Sequence, residues 1–185
     1  MVMRLFYTIS SQENQSQKDP LLSLGGFKSS SMVPNDAFGA IFSDISEYSI
    51  QKGLPEYIGL ILQNTFATPV ESISIWIPSV EGRYCKFRLA VVELSPSNEM
   101  ETISTVNSKP LQAEFYECSE EGKFELEGIT LNPGQGIGLW LERTLDPNSE
   151  DLQMRNDCFY LYENSDKVNS IESGEIKIEF EYVRS

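Results

Sequence analysis

129-ITLNPGQGIGLWLER-143 is the stretch with the clearest structural signal in this chain. Its centre, Asn132 to Gln135, has Pro and Gly at the second and third positions, an order that favours a type II turn. An apolar segment precedes the turn, and residues 136–145 alternate between apolar side chains and others after it. This pattern of strand, tight turn and strand indicates antiparallel β-structure.

The same alternation recurs along the chain in short segments that Pro, Gly, Asn and Ser separate. It is cleanest over residues 70–77, where isoleucines at 73, 75 and 77 share one face of the predicted strand. Further strands are predicted over residues 3–9, 57–64, 84–94, 112–118, 123–131 with a bend at Gly128, 158–162 and 175–183. Roughly nine short strands with almost no helical periodicity predict an all-β fold, an antiparallel β-sandwich of immunoglobulin-like or jelly-roll-like type.

The N-terminal part of the chain differs from this pattern. Residues 10–36, SSQENQSQKDPLLSLGGFKSSSMVPND, are polar and flexible in composition but contain apolar side chains between Leu21 and Phe27. They predict an extended arm, with a linker up to Lys18 and a docked segment after it, because so many apolar residues rarely stay in water. The serines at 29–31 suit an extended backbone. An N-cap signal at 35–36 predicts one short helix over 37–42.

Two regions follow from these patterns. Residues 1–56 are predicted to hold the first strand, the arm and the short helix. Residues 57–185 are predicted to form the β-sandwich domain. Within that domain, residues 146–157 are polar and predict a long exposed loop.

The composition is that of a soluble protein with unevenly distributed charge. Of the 185 residues, 40% are hydrophobic and 23% charged. Residues 1–92 carry 7 basic and 8 acidic groups, net −1, and residues 93–185 carry 7 and 20, net −13. Nucleic-acid binding needs clustered cations, and a membrane span needs about 18 consecutive apolar residues. Neither is present in the sequence, so we expect no nucleic-acid and no membrane partner.

The first ten residues lack the long apolar region of a signal peptide, which predicts synthesis in a cytoplasm. In such a compartment the three cysteines, Cys85, Cys118 and Cys158, are expected to be reduced thiols. Their wide spacing also contains no Cys-x-x-Cys pair.

No catalytic, cofactor-binding or metal-binding residues are predicted. The chain has no histidine, which excludes Ser-His-Asp and Cys-His nucleophiles and every histidine-containing metal site. The glycines at 134, 136 and 138 precede a strand rather than a helix, so they do not predict a phosphate loop. Residues 146–157 resemble a calcium loop but lack Gly at its sixth and Glu at its twelfth position. We therefore expect the protein not to be an enzyme.

The two tryptophans are the least expected residues of the strand pattern. Trp76 and Trp140 each lie out of phase with the aliphatic stripe of their predicted strand. Large aromatic rings on an outer face require cover, which the chain itself, a neighbouring subunit or a stacked sugar could provide. Together with the arm they define the predicted interface residues: Leu21, Leu22, Leu24, Gly25, Gly26, Phe27, Trp76 and Trp140.

Three segments carry a resemblance to a known class of protein. PLLSLGGFKSSSMVPNDAFGAIF at 20–42, YIGLILQNTFATPVESISIWI at 57–77 and GIGLWLERTL at 136–145 resemble small virion proteins of tailed bacteriophages, the crAss-like phages in particular. The resemblance implies a structural virion protein that forms a ring or collar of the connector or tail. It implies copies of itself and other virion proteins as partners. The alternative from the residues is a carbohydrate-binding β-sandwich module used in host recognition.

Overall fold

Nine β-strands and one short α-helix are the regular elements in the part of the chain that the computed structural model describes. That part comprises residues 3–12, 15–34, 41–42, 47–77, 85–119, 121–145 and 179–184. In chain order the elements are β1 Met3–Ile9, β2 Gly26–Met32, α1 Glu47–Lys52, β3 Glu56–Asn64, β4 Val70–Trp76, β5 Cys85–Val92, β6 Glu99–Met100, β7 Phe124–Leu126, β8 Gly136–Leu145 and β9 Glu179–Arg184. A 3-10 turn, Pro20–Leu22, lies between β1 and β2.

The strands form two antiparallel sheets. The larger sheet has the order β5-β8-β3-β1-β2-β6, and the smaller sheet has the order β7-β4-β9. Buried side chains of both sheets pack in one apolar cluster, which includes Ile58, Leu60, Leu89, Leu139 and Leu141 from the larger sheet and Val70, Ile73, Ile75 and Leu126 from the smaller. The predicted all-β, antiparallel sandwich-like fold is therefore confirmed.

The larger sheet is buried on both faces. Leu141 lies opposite Ile58 on β3 and Leu89 on β5, on the face that packs against the smaller sheet. The next residue of β8, Trp140, belongs to a second apolar cluster on the other face. Because successive side chains of a strand point to opposite faces, a strand buried on both sides contains few polar positions. This explains the nearly continuous apolar run at 57–62.

The larger sheet curls strongly toward that second face. Three strands separate β6 from β8, and a flat sheet would hold the two about 19 Å apart. Instead, the Met100 side chain of β6 lies against Gly138 of β8, with Cγ 2.9 Å from where a Cβ of residue 138 would be. Val92 of β5 reaches the same glycine. The two edge strands of the sheet therefore approach each other across its concave face.

Residues on both sides of position 56 share this sheet. β1 pairs with β3, with Tyr7 opposite Leu60, and with β2, with Thr8 opposite Lys28. The predicted division after residue 56 thus runs between hydrogen-bonded neighbouring strands. The part of the predicted arm from Gly26 to Met32 is a strand of the chain's own sheet.

Five of the nine predicted strands are confirmed to within two residues, whereas of the strand predicted over 123–131 only Phe124–Leu126 is a strand, β7. β1 matches its prediction, and β3, β4, β5 and β8 differ from theirs by at most two residues at either end. The turn at 132–135 and the bend at Gly128 are also confirmed, since Gly134 and Gly128 have φ values of +81° and +70°.

Other predicted elements differ from the structure. Residues 112–118 form only an isolated bridge between Tyr116 and Leu89, so the predicted strand there is wrong. Ile41 and Phe42 lie in a bend, and the helix that the structure contains, α1, begins later, at Glu47. The rest of the predicted helix, the loop at 146–157 and the strand at 158–162 lie outside the described residues.

Candidate functional site

The residues predicted as interface candidates divide into buried and exposed groups. Gly25 and Gly26 are buried, and Leu24 and Phe27 are half-buried. Trp140 is fully buried and Trp76 is 6% exposed. Leu21 and Leu22 remain at the surface, with exposed fractions of 43% and 58%. Of the predicted set, these two leucines have the largest exposed fractions.

Trp140 lies in a slot that small residues create. It is directly opposite Gly59 on β3 and Ala90 on β5. A Cβ at Gly59 would be 3.1 Å from the ring atom Cζ3, and one at Gly25 would be 3.0 Å from Cζ2. Gly25 also has φ +86°, a conformation that favours glycine. The close approach of the 23–25 backbone to β3 and β8 therefore depends on glycine at both positions.

A buried hydrogen-bond network holds that backbone in place. The Ser23 hydroxyl donates to the carbonyl oxygen of Gly59 at 2.6 Å and accepts from the backbone N–H of Thr8 at 2.9 Å. The N–H of Gly25 donates to the Thr8 hydroxyl oxygen at 3.0 Å, and the N–H of Gly59 donates to the Ser23 carbonyl at 2.8 Å. The docked part of the predicted arm thus packs on its own chain.

Ser29 fixes the earlier part of the same segment. Its buried hydroxyl accepts from the N–H of Gln17 at 2.9 Å and lies 3.0 Å from the carbonyl oxygen of Gln15. The N–H of Ser30 donates to that same carbonyl. Residues 15–17 therefore cover part of the outer edge of β2, and the expectation that these serines satisfy an extended backbone is confirmed.

Trp76 also has intramolecular cover. It belongs to the apolar cluster between the sheets, and Nζ of Lys123 lies 4.1 Å from the centroid of its ring. Of the three explanations for the out-of-phase tryptophans, cover by the chain itself is the one the structure contains. Stacking on a sugar requires an exposed ring face, and neither tryptophan provides one.

The concave face has an open region where the edges of the curled sheet meet. We call it the seam cleft; it lies between residues 92–95 and 99–102 and has a volume of about 430 Å³. Val92, Leu94, Met100 and Trp140 supply apolar lining, and Ser95, Thr102 and Gln112 supply uncharged polar lining. A cleft of this size with mixed lining is a candidate binding site.

Three carboxylates give the seam cleft a negative charge. Glu93, Glu99 and Glu101 line it, and no Lys or Arg is among its lining residues. Within the described part of the chain, Glu93 is exposed and has no ion-pair partner. Glu99 accepts a hydrogen bond from the Ser97 hydroxyl at 2.9 Å. The cleft is therefore suited to a group that is apolar and carries a positive charge nearby.

Glu101, beside the cleft, binds the backbone of a neighbouring turn. Its two carboxylate oxygens accept from the backbone N–H groups of Leu111 at 2.9 Å and Gln112 at 3.0 Å. Pro110 is buried just before them. These contacts restrain the turn at 109–111, and Leu111 is 91% exposed. Leucine side chains with so much exposed surface are candidates for contact with another molecule.

The charged residues near the end of β8 serve the fold. Glu142 lies between Tyr57 on β3 and Arg88 on β5, and it pairs with the Arg88 guanidinium at 2.5 Å. Burial, followed by the charge and hydrogen bond of Glu142, raises the pKa of Tyr57 well above its usual range. On the other face the buried Arg143 is paired with the buried Glu56. Glu142, Glu56 and Arg143 are buried, Arg88 is partly exposed, and the charged groups are already paired with one another.

Among the described residues no group of acidic, cysteine or histidine side chains is arranged to hold a metal ion. In the same residues, no helix has the length and apolar character needed to cross a membrane. Cys85 and Cys118 are both buried, and burial raises the pKa of the Cys118 thiol. Cys158 lies outside the described part.

Sequence reasoning missed the seam cleft and the 109–111 turn. Glu93, Glu99 and Leu111 are ordinary residues of a polar stretch, and nothing in their spacing marks them. Their proximity follows from the curl of the sheet, which brings β5 and β6 together. A proline followed by an apolar residue in a polar loop, as at 110–111, was the only available signal.

Comparisons of the chain with protein-family models, with curated proteins and with solved structures found no match. The fold and surface define an antiparallel, sandwich-like β protein with an acidic cleft and exposed leucines. Its function has to be inferred from those features and from the resemblance of its sequence segments.

Proposed function

We propose that this protein is a structural virion protein of a tailed phage, which assembles with copies of itself as a ring or collar component of the connector or tail. The segments that resemble such proteins contribute β2, β3, β4 and β8, which form much of both sheets. In this proposal the protein acts in the virion after synthesis in the host cytoplasm. Its partners are further copies and other virion proteins.

The observation that carries the proposal is the exposure of leucines on the segments that cover the concave face. Leu24 and Ile103 pack on that face, and their backbones are hydrogen-bonded at 2.9 Å. Leu22 and Leu111 belong to the same two segments and are 58% and 91% exposed. Burial of one leucine side chain contributes about 1.5–3 kcal/mol, so a partner that covers both gains substantially. In a subunit of an assembly, such leucines can be buried against neighbouring subunits.

The charge distribution is compatible with this role. Residues 93–185 carry net −13, which opposes binding to the phosphate backbone. A component of a passage for DNA benefits from a surface to which DNA does not adhere. We therefore propose contacts with proteins and none with nucleic acid.

The location of the protein provides the direct test. Purified particles of the phage that encodes this chain are examined by mass spectrometry and by electron microscopy with a gold-labelled antibody against it. We expect the chain in the particles in a fixed copy number, with label at the neck or tail. Particles that infect normally and lack the chain would overturn the proposal.

A second measurement concerns assembly alone. The mass of the purified protein is determined by light scattering after size-exclusion chromatography, and its particles are imaged. Oligomers of defined size are expected. The variant Leu22→Asp is expected to shift the distribution toward smaller species, and Ser30→Asp, an exposed polar position on β2, is the control.

A further inference from the structure

We propose that the 109–111 turn of one copy of this chain occupies the seam cleft of a second copy. This inference rests on the proposed function, because it identifies the surface through which copies associate. The turn offers an apolar side chain and a cation, and the cleft offers an apolar lining and carboxylates. Four observations support the match, and each concerns described residues.

Hydrogen bonds within the chain restrain the turn before any contact. The Glu101 carboxylate accepts from two consecutive backbone N–H groups, those of Leu111 and Gln112, and Pro110 is buried. Leu111 is nevertheless 91% exposed. A side chain presented by a fixed backbone loses little conformational entropy on binding. The turn is therefore well prepared to insert its leucine into a cleft.

The cleft has suitable size and lining. Its volume of about 430 Å³ lies at the lower end of the range, roughly 300–1,000 Å³, of sites that enclose small ligands. Val92 and Leu94, which are partly exposed, provide apolar surface against which a leucine side chain can pack, whereas Met100 is buried. The chain's own Leu111 does not occupy it, because that side chain is almost completely exposed.

The charges of the two surfaces are complementary. Lys109 is exposed, and its Nζ lies 6.0 Å from the ring centroid of Phe115, with no carboxylate partner among the described residues. Glu93 is likewise exposed and without an ion-pair partner there, and Glu99 lies on the same cleft. Two copies of net charge −14 repel each other at long range, so a local cation–carboxylate match is needed to select one orientation.

The position of the turn determines the symmetry of the contact. Glu101 and Gln112 line the cleft, and Glu101 also holds the turn, so the two surfaces adjoin each other on one side of the molecule. Two copies related by a two-fold axis can therefore each place a turn in the cleft of the other. The contact predicts a dimer, from which larger assemblies are built by other surfaces.

The test uses sedimentation equilibrium of the full chain and of single variants. Leu111→Asp is expected to raise the dissociation constant of the dimer about 10-fold or more, because a carboxylate would enter an acidic cleft. Tyr48→Asp is the matched control, since Tyr48 is 59% exposed on α1. It is expected to leave the dissociation constant unchanged. Circular dichroism verifies that both variants are folded.

A charge exchange then identifies the partner surface. Lys109→Glu and the double variant Glu93→Lys, Glu99→Lys are each expected to remain monomeric when alone. An equimolar mixture is expected to form a heterodimer, because both contacts then pair a cation with a carboxylate. Recovery in the mixture supports the proposal and requires contact between different molecules.

Two results would overturn the proposal. A wild-type protein that stays monomeric at every concentration excludes the dimer, whereas the presence of the chain in virions would still support the proposed function. If Leu111→Asp and Lys109→Glu leave the dissociation constant of a wild-type dimer unchanged, the copies associate through another surface. That result would overturn this proposal but not the proposed assembly of the protein.

Discussion

Gly59 on β3 lies directly opposite Trp140 on β8, and the side chain missing at residue 59 leaves the space that the indole ring occupies. A Cβ at residue 59 would be 3.1 Å from ring atom Cζ3 and 3.0 Å from the backbone nitrogen of Gly25. The same glycine therefore accommodates both the tryptophan and the segment that covers it. This relationship explains a glycine in the middle of a buried strand, where it would otherwise be unfavourable.

Substitution of Gly59 by alanine is expected to lower the free energy of unfolding by about 1–3 kcal/mol, because the added methyl group overpacks the slot. Urea denaturation measures the change. Gly122→Ala is the control, since the nearest atom to a Cβ there is the Ser119 hydroxyl oxygen at 3.7 Å. Equal stabilities of the two variants would contradict the role assigned to Gly59.

Ser23→Ala is expected to destabilise the protein by about 1–3 kcal/mol, because it removes the hydroxyl that bonds the Thr8 N–H and the Gly59 carbonyl in a buried site. The variant should also loosen the structure locally, around residues 8 and 25. Hydrogen exchange of the amides of Thr8 and Gly25 is expected to accelerate. Ser30→Ala, at an exposed position, is the control, and comparable exchange in both variants would refute the prediction.

Glu56→Ala is expected to cost about 3–5 kcal/mol of stability, because it leaves the charge of Arg143 in a buried site without its carboxylate. Replacement of both residues by methionine is expected to restore much of the loss. Glu71, which is exposed on β4, provides the control variant Glu71→Ala. Chemical denaturation of the wild type, the two alanine variants and the double methionine variant checks the prediction. It fails if the double variant is the least stable of the four.

Alkaline pH is expected to destabilise the protein through Tyr57. Burial, and then Glu142, raise its pKa above the ordinary value of about 10. A tyrosine with a raised folded-state pKa contributes its full stabilisation below the unfolded-state pKa and loses it as the pH rises from there toward the folded-state value. The free energy of unfolding should therefore decrease above about pH 10.

Tyr57→Phe is expected to make that decrease shallower, since one of the groups that ionises on unfolding is absent. Tyr48→Phe, the same change at a residue that is 59% exposed, is the control. Denaturation curves across the alkaline range give the slope of stability against pH. Identical slopes in the two variants would show that Tyr57 ionises alike in the folded and unfolded states.

The strands could be predicted because alternation is a local property. Residues 70–76 display it directly, residues 3–9 are marked by β-branched and aromatic side chains, and Pro133 and Gly134 mark the turn at 132–135. The position of Trp140 on the strand face opposite its aliphatic neighbours also indicated correctly that other groups must cover the ring. What covers it could not be predicted, because Gly25 and Gly59 come near the ring only through pairing of strands that are distant in sequence.

The 10–36 segment shows where prediction from composition fails. Its composition is that of an arm, and part of it does run as an irregular segment, but Gly26 to Met32 pairs with β1 as a strand. Serine is not among the residues enriched in strands, so the composition predicted an extended backbone at 29–31 but not its place in the sheet. Burial of Ser29 with its own hydrogen bonds compensates for the low strand propensity. The seam cleft escaped prediction because it depends on the curl of the whole sheet.

The order of strands in the two sheets has a consequence for the nascent chain. β1, β2 and β3 can pair as soon as they leave the ribosome, but β3 keeps an open apolar edge until β8 is made. β4 likewise has no pairing partner until β7 and β9 are made. Pairings of high sequence separation form slowly and leave apolar strands exposed to aggregation. We therefore expect the yield of native protein to depend on the rate of translation and on chaperones that bind unpaired strands.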